Sequence, residues 1–279
     1  MHAPEQLVLN ASGMSFGALA WGDRGAPLTL MIHGYPDTAW TWRHLGPFLA
    51  ERGWRAVAPF TRGYAPTELA PNDRYLVADQ VGDVLALHAE LGGDARSVLI
   101  GHDWGALATW GATNAAPDRF ARYAALALPT AATLLKPWTS LSTLGIAARQ
   151  ARMSWYFVYN QLPGAERGLD RVIPKHWRDW SPGYDAREDL RHVFEALRGP
   201  GRRRARCGTT GTTCKPACGP PSPCGPVRPR CTYTASGTAV SRPRSARATP
   251  RPAPLTAGSS GWPTPGTSYS WSSPTGSTT

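Results

Sequence analysis

The chain has 279 residues, a formal net charge of +11, 18% charged residues and a heavy load of 29 Gly, 27 Pro and 12 Trp, which is enough for one large domain. Eleven of the 30 Lys and Arg lie beyond Arg198 and none of the 19 Asp and Glu does, so residues 1–198 are formally neutral and the basic excess belongs to the tail. All five cysteines (Cys207, Cys214, Cys218, Cys224, Cys231) follow the same point and every His, Phe, Ile, Met, Asn and Gln precedes it; a segment so poor in large apolar side chains cannot offset its chain entropy by burial, which excludes a second folded domain.

Residues 1–6 are polar, and the apolar runs at 28–32 and 98–100 fall far short of a membrane span. The expectation is a cytoplasmic protein with no membrane partner. The tail cysteines follow no paired metal spacing, so neither a metal nor another cofactor is expected.

In chain order, residues 27–32 form a short apolar run that ends in His33-Gly34-Tyr35-Pro36, which predicts a buried strand entering a tight loop. Residues 54–58 predict a second strand, closed by Pro59. Val77, Val81, Val84, Leu85, His88 and Leu91 recur at helical spacing until Gly92-Gly93 ends the pattern. Residues 97–100 predict the next strand, followed by Gly101-His102-Asp103-Trp104-Gly105, a small-residue helix over 106–115 and one more strand over 122–128. Strands alternating with helices imply a mostly parallel sheet covered on both faces, an α/β fold. Residues 131–198 carry Trp, Tyr and Arg on helical stretches broken at Pro163-Gly164, Pro174 and Pro182-Gly183, which predicts an inserted helical cap on a core of residues 1–130.

The chemistry concentrates at Gly101-His102-Asp103-Trp104-Gly105, a Gly-x-nucleophile-x-Gly turn between strand and helix. The glycines are needed because the nucleophile's backbone is strained and the helix approaches the strand closely. The nucleophile position holds Asp103. A carboxylate attacks saturated carbon by displacement and leaves an ester on the enzyme, chemistry that suits epoxides and alkyl halides.

With His33-Gly34-Tyr35-Pro36, Trp40-x-Trp42-Arg43 and Arg62-Gly63-Tyr64 in the same order upstream, residues 5–198 resemble the α/β-hydrolase superfamily, in its epoxide hydrolase and haloalkane dehalogenase branch. The resemblance implies that the backbone N–H groups of Tyr35 and Trp104 form the oxyanion hole. Ser154-Trp155-Tyr156-Phe157-Val158-Tyr159-Asn160-Gln161-Leu162-Pro163-Gly164 resembles the epoxide hydrolase segment whose tyrosine precedes Gln-x-Pro-Gly by five positions. That places Tyr156 as the donor to the epoxide oxygen, with Tyr159 as the competing phenol. Dehalogenases often carry an asparagine where Tyr35 stands, which favours epoxides here. Trp40, Trp42, Trp155, Trp177 and Trp180 either line an apolar pocket or simply pack. His33, His102 and His88 shape or pack local structure and are not read as the base. A small apolar substrate is implied, no nucleic-acid partner is expected, and the oligomeric state stays open.

The family's histidine base and its acid follow the cap, yet this chain has no His after His192 and no acid after Glu195. Read one nucleotide earlier, the codons for residues 266–274 are compatible with Gly-His-Phe-Leu-Gln-Leu-Glu-Gln-Pro, those for 230–239 with Leu-His-Val-His-Gly-Glu-Arg-Asp-Gly, and those for 206–211 with Leu-Arg-Tyr-Tyr-Arg. These have the form of the family's catalytic histidine, acid and second-tyrosine segments, in one frame and in order. The tail, residues 199–279, is therefore expected to be disordered, out-of-frame translation after loss of one nucleotide between codons 198 and 206. The last strands would be missing and turnover impaired. Two alternatives stand beside this expectation: a haloalkane dehalogenase, and a non-catalytic protein whose basic tail, with Arg202-Arg203-Arg204, binds nucleic acid.

Overall fold

The apolar runs become the centre of a six-stranded sheet. A computed structural model describes residues 3–129 and 144–209; the expectations placed on residues 131–143 and from 210 onward lie outside the described residues. The strands are β1 (Glu5–Ala11), β2 (Met14–Trp21), β3 (Leu28–Ile32), β4 (Arg55–Pro59), β5 (Val98–His102) and β6 (Arg122–Leu126), in the spatial order β1-β2-β4-β3-β5-β6. β2 is antiparallel to both β1 and β4, while β4, β3, β5 and β6 are mutually parallel. β3 and β4 are buried along their whole length, as central parallel strands must be when both faces are covered.

Side chains alternate between two layers. Leu30, Ile32 and Val57 join Val84, Leu87, Ala108 and Ala112 from the helices α2 (Val77–Glu90) and α3 (Trp104–Ala115) on one face. Met31, Ala56 and Ala58 face the other way, with Leu45 and Leu49 of α1 (Leu45–Ala50) and with Leu169, Ile173 and Val193 from the later helices. This period of two is what a pleated sheet between two helical layers requires. The hairpin β1–β2 turns through Ser12 and Gly13, both at positive φ (51° and 70°), with Ala11 paired to Met14. That is the two-residue turn whose twist matches its strands.

Beyond the sheet come α4 (Leu144–Met153), α5 (Trp155–Tyr159), α6 (Leu169–Trp180), α7 (Arg187–Ala196) and α8 (Arg202–Thr209). α6 and α7 are fastened to the loop after β3. Trp177 Nε1 donates to the Pro36 carbonyl at 3.0 Å, and Arg43 forks onto the buried Asp189 at 2.5 and 3.3 Å, with the Tyr184 hydroxyl donating to the same carboxylate at 2.7 Å. Trp40 stacks on His192 at 4.6 Å.

Beyond the compositional break at Arg198 the described residues continue into α8. α8 packs with Ala205, Arg206 and Cys207 all buried. Arg202 donates to the Thr67 carbonyl at 2.7 Å, and Arg203 forks onto Asp170 with two bonds of 2.7 Å. Arginine allows this because its long apolar stem buries while its planar head reaches carbonyls and carboxylates. β6 pairs only with β5 among the described residues, and its Tyr123 and Leu126 are about half exposed. No helix of the described residues is long and apolar enough to cross a membrane.

Candidate active site

Asp103 stands between β5 and α3 with φ 53° and ψ −116°, a conformation that costs a side-chain-bearing residue energy and that persists only where its surroundings fix it. The surroundings are glycine. A Cβ on Gly101 would lie 2.1 Å from the Gly105 carbonyl oxygen, and one on Gly105 would lie 2.2 Å from the Ile32 carbonyl oxygen. Helix and strand therefore approach as closely as backbone allows, and the carboxylate is thrust out at the end of the parallel strands. Ligand sites in open α/β sheets lie at that end.

The loop after β3 meets it there. The Tyr35 N–H donates to Asp103 Oδ1 at 2.9 Å, and the Trp104 N–H beside it also favours the charged carboxylate. Gly34 makes the approach possible, since a Cβ on it would fall 2.4 Å from Asp103 Cβ. Burial pushes the Asp103 carboxyl up to about 6, against the lowering effect of those two N–H groups. His33 holds the loop from behind: its Nδ1–H donates to the Gly34 carbonyl at 2.9 Å and its Nε2 accepts from the Thr61 N–H at 3.0 Å. Burial drives that imidazole down to about 3, so it stays neutral and both its nitrogens are committed.

Over the carboxylate, Tyr35, Trp104 and Tyr156 form one apolar cluster with Val77, Leu107, Phe157 and Trp180 at its edge. The Tyr35 and Tyr156 rings stack at 5.8 Å and 11°. Burial, with the Asp103 charge second, lifts the Tyr156 phenol well above its usual range. Tyr159 instead donates to the Ala165 carbonyl at 3.2 Å and packs with the core behind the helices. Thus Asp103, Tyr35, Trp104 and Tyr156 are brought together, and the competing phenol is engaged elsewhere.

The five tryptophans divide. Trp180 edges onto Tyr156 at 5.2 Å, and Trp155 reaches the same group of rings through His176. Trp40, Trp42 and Trp177 belong to the core layer behind.

Sequence reasoning missed His176. It stacks on Trp180 at 4.4 Å and stands edge-on to Tyr156 at 5.1 Å, with Nε2 buried and without a partner among the described residues. Burial brings it down to about 4, so it is a neutral wall rather than a cation. Asp37 and His102 also flank the site, and burial raises the Asp37 carboxyl to about 6 while lowering the His102 imidazole. Among the described residues no group of three His, Cys, Asp or Glu stands ready to hold a metal ion.

Comparison with known proteins gives the same architecture. Residues 27–164 match the family model described as the alpha/beta hydrolase fold. Epoxide hydrolase A of Mycobacterium tuberculosis is 30% identical over 206 residues, covering 74% of this chain and 59% of that one. An epoxide hydrolase of Caballeronia sordidicola is 41% identical over 110 residues, covering 38% of this chain and 33% of its own. The crystal structure of an epoxide hydrolase from Vigna radiata superposes with a TM-score of 0.57 at 23% identity, over 73% of this chain and 71% of that chain, a likeness of fold. The chain thus spans about three-fifths of the length of the mycobacterial relative and about one-third of the other hydrolase.

Proposed function

We propose that this chain, whose fold is that of the α/β hydrolases, is an epoxide hydrolase-like enzyme in which Asp103 opens epoxides by displacement and Tyr156 protonates the oxygen released. What supports the reading is one arrangement: a strained, half-buried carboxylate held through Oδ1 by the Tyr35 N–H, with the Tyr156 ring in the cluster above it. With Oδ1 engaged, Oδ2 forms the new C–O bond while the ring C–O bond breaks. The ring oxygen takes the phenol proton, leaving a phenolate at Tyr156. The Asp103 charge is among the causes that raise the phenol. Esterification removes that charge, so the phenol becomes more acidic as the alkoxide forms.

Hydrolysis of the ester needs a base beside it. His33 has both nitrogens committed, and burial brings His176 down to about 4, which leaves it a weak base. In this reading residues 1–130 are the core and 131–198 a cap that excludes water. The family's base and acid lie in the shifted frame of the segment after residue 198, so the chain as written stops at the ester. A mass adduct on the Asp103 peptide after exposure to styrene oxide tests the proposal, and steady diol release would contradict the arrest.

Halide displacement is the second reading, favoured by one observation. The Trp104 indole N–H is buried with no partner among the described residues, a donor suited to a leaving halide. Bromide release from 1-bromobutane at a rate above that from the epoxide's ring opening would select it.

A further inference from the structure

The strongest unassigned feature is a buried cation behind the site. Arg206, from α8, is 2% exposed and lies among the largest fully buried side chains of the described residues. Its guanidinium donates to the Arg62 carbonyl at 2.8 Å and sits over the Tyr64 ring at 4.3 Å, a cation–π contact. A Cβ on Gly63, at φ 88°, would stand 3.2 Å from Arg206 Nε, so backbone and guanidinium are in close contact.

From there the contacts continue without a gap. Tyr64 is edge-on to His33 at 4.9 Å and 75°, and His33 bridges the Gly34 carbonyl and the Thr61 N–H. Gly34 abuts Asp103, and the next residue supplies the N–H at Oδ1. On its other side the 62–64 loop is fixed by the buried fork of Arg62 on Asp83, two bonds of 2.6 Å.

We propose that Arg206 is a positioning residue for the Tyr35 loop, acting through Tyr64 and His33, so that the first helix of the basic segment buttresses the cradle of the Asp103 carboxylate. An N–H donor of the planar guanidinium and its face are used at once, which a surface arginine on the same helix does not match. Arg204 is exposed. The proposal holds for the chain as written. It rests on the reading of Asp103 as the reacting group only for its kinetic arm.

Amide exchange in the full chain tests it. In Arg206→Ala the Tyr35 and Thr61 amides should lose protection by about tenfold, the scale of one hydrogen bond loosened, while Leu99 in β5 keeps its own. Arg206→Lys, which retains the stem and the charge on a single nitrogen, should fall between, and guanidinium added at millimolar concentration should restore part of the loss. Arg204→Ala should match the unaltered chain. Styrene oxide labelling of Asp103 should slow in parallel with the Tyr35 exchange. Unchanged protection at Tyr35 and Thr61 in both Arg206 variants overturns the proposal, as does equal loss at Leu99, which would mean general destabilisation. Absence of labelling in the unaltered chain, with the exchange pattern as expected, overturns the epoxide reading and leaves the buttress standing.

Discussion

Gly34→Ala is the most discriminating single change. The added Cβ would lie 2.4 Å from Asp103 Cβ, 2.6 Å from Oδ1 and 2.7 Å from the His102 carbonyl oxygen. Asp103 Cβ and the His102 carbonyl oxygen cannot swing aside as a side-chain end can, and Asp103 is already pinned at φ 53°. To reach ordinary carbon contact the loop must retreat by about 1 Å. The Tyr35 N–H bond to Oδ1, now 2.9 Å, would then exceed hydrogen-bonding range. Overpacking of this kind costs about 1–3 kcal/mol of stability. A displacement of that size at a reacting group slows the chemistry by about 100-fold. Urea unfolding and the rate of Asp103 labelling by styrene oxide measure the two effects. Gly82→Ala is the control: its Cβ meets nothing within 4 Å on the exposed side of α2, and it should gain about 0.5–1 kcal/mol with no change in labelling. A Gly34→Ala protein that labels within a factor of about three of the unaltered chain, at equal stability, would refute the idea that close approach of this loop sets the site.

Because burial raises the Asp103 carboxyl to about 6, labelling should rise through that pH and level off above it; Asp37 is raised to about 6 as well, so Asp37→Asn should leave the profile in place, and a flat profile would sink the assignment. The same shift works against stability: a carboxyl raised above its unfolded value favours folding while protonated, and that contribution is lost as pH climbs from about 4 to about 6. Asp103→Asn should therefore raise the unfolding free energy measured in urea at pH 7 by about 1–2 kcal/mol, and a lowered value would contradict it. Asp83→Ala leaves Arg62 buried without its carboxylate, both side chains being under 8% exposed, and should cost about 3–5 kcal/mol. Arg203→Ala breaks a pair exposed at 36% and 58% and should cost less than about 1 kcal/mol by the same unfolding measurement. Restoring one nucleotide between codons 198 and 206 should convert a chain that accumulates ester into one that releases diol.

Much of the sheet was legible because its central strands are apolar runs bounded by Pro and Gly. The helix over 77–91 and the strand at 97–100 fall within two residues of α2 and β5. The hairpin β1–β2 was not: its signal is alternation, weak in Gln6-Leu7-Val8-Leu9, and its Ser12-Gly13 turn lacks the Asn-Gly or Asp-Gly pair that marks such turns most strongly. The strained turn at Asp103 was legible because such a turn needs flanking glycines at fixed spacing, whereas Tyr35 and Trp104 entered only through the resemblance. His176 could not be found, since its meeting with Tyr156 depends on how two helices pack, which periodicity does not encode. Arg206 is the sharpest departure. Composition made the basic segment a solvated tail, but one long side chain found a carbonyl and an aromatic face in the core.

The central claim is that Asp103 is the nucleophile of a reaction that this chain begins and does not finish. Intact and peptide mass spectrometry of the full chain with excess styrene oxide tests it most directly, with diol measured in the same tube. The account predicts one adduct per chain, mapped to Asp103, absent in Asp103→Asn, with no diol beyond that amount. Diol produced over many turnovers, or an unlabelled Asp103, would contradict it.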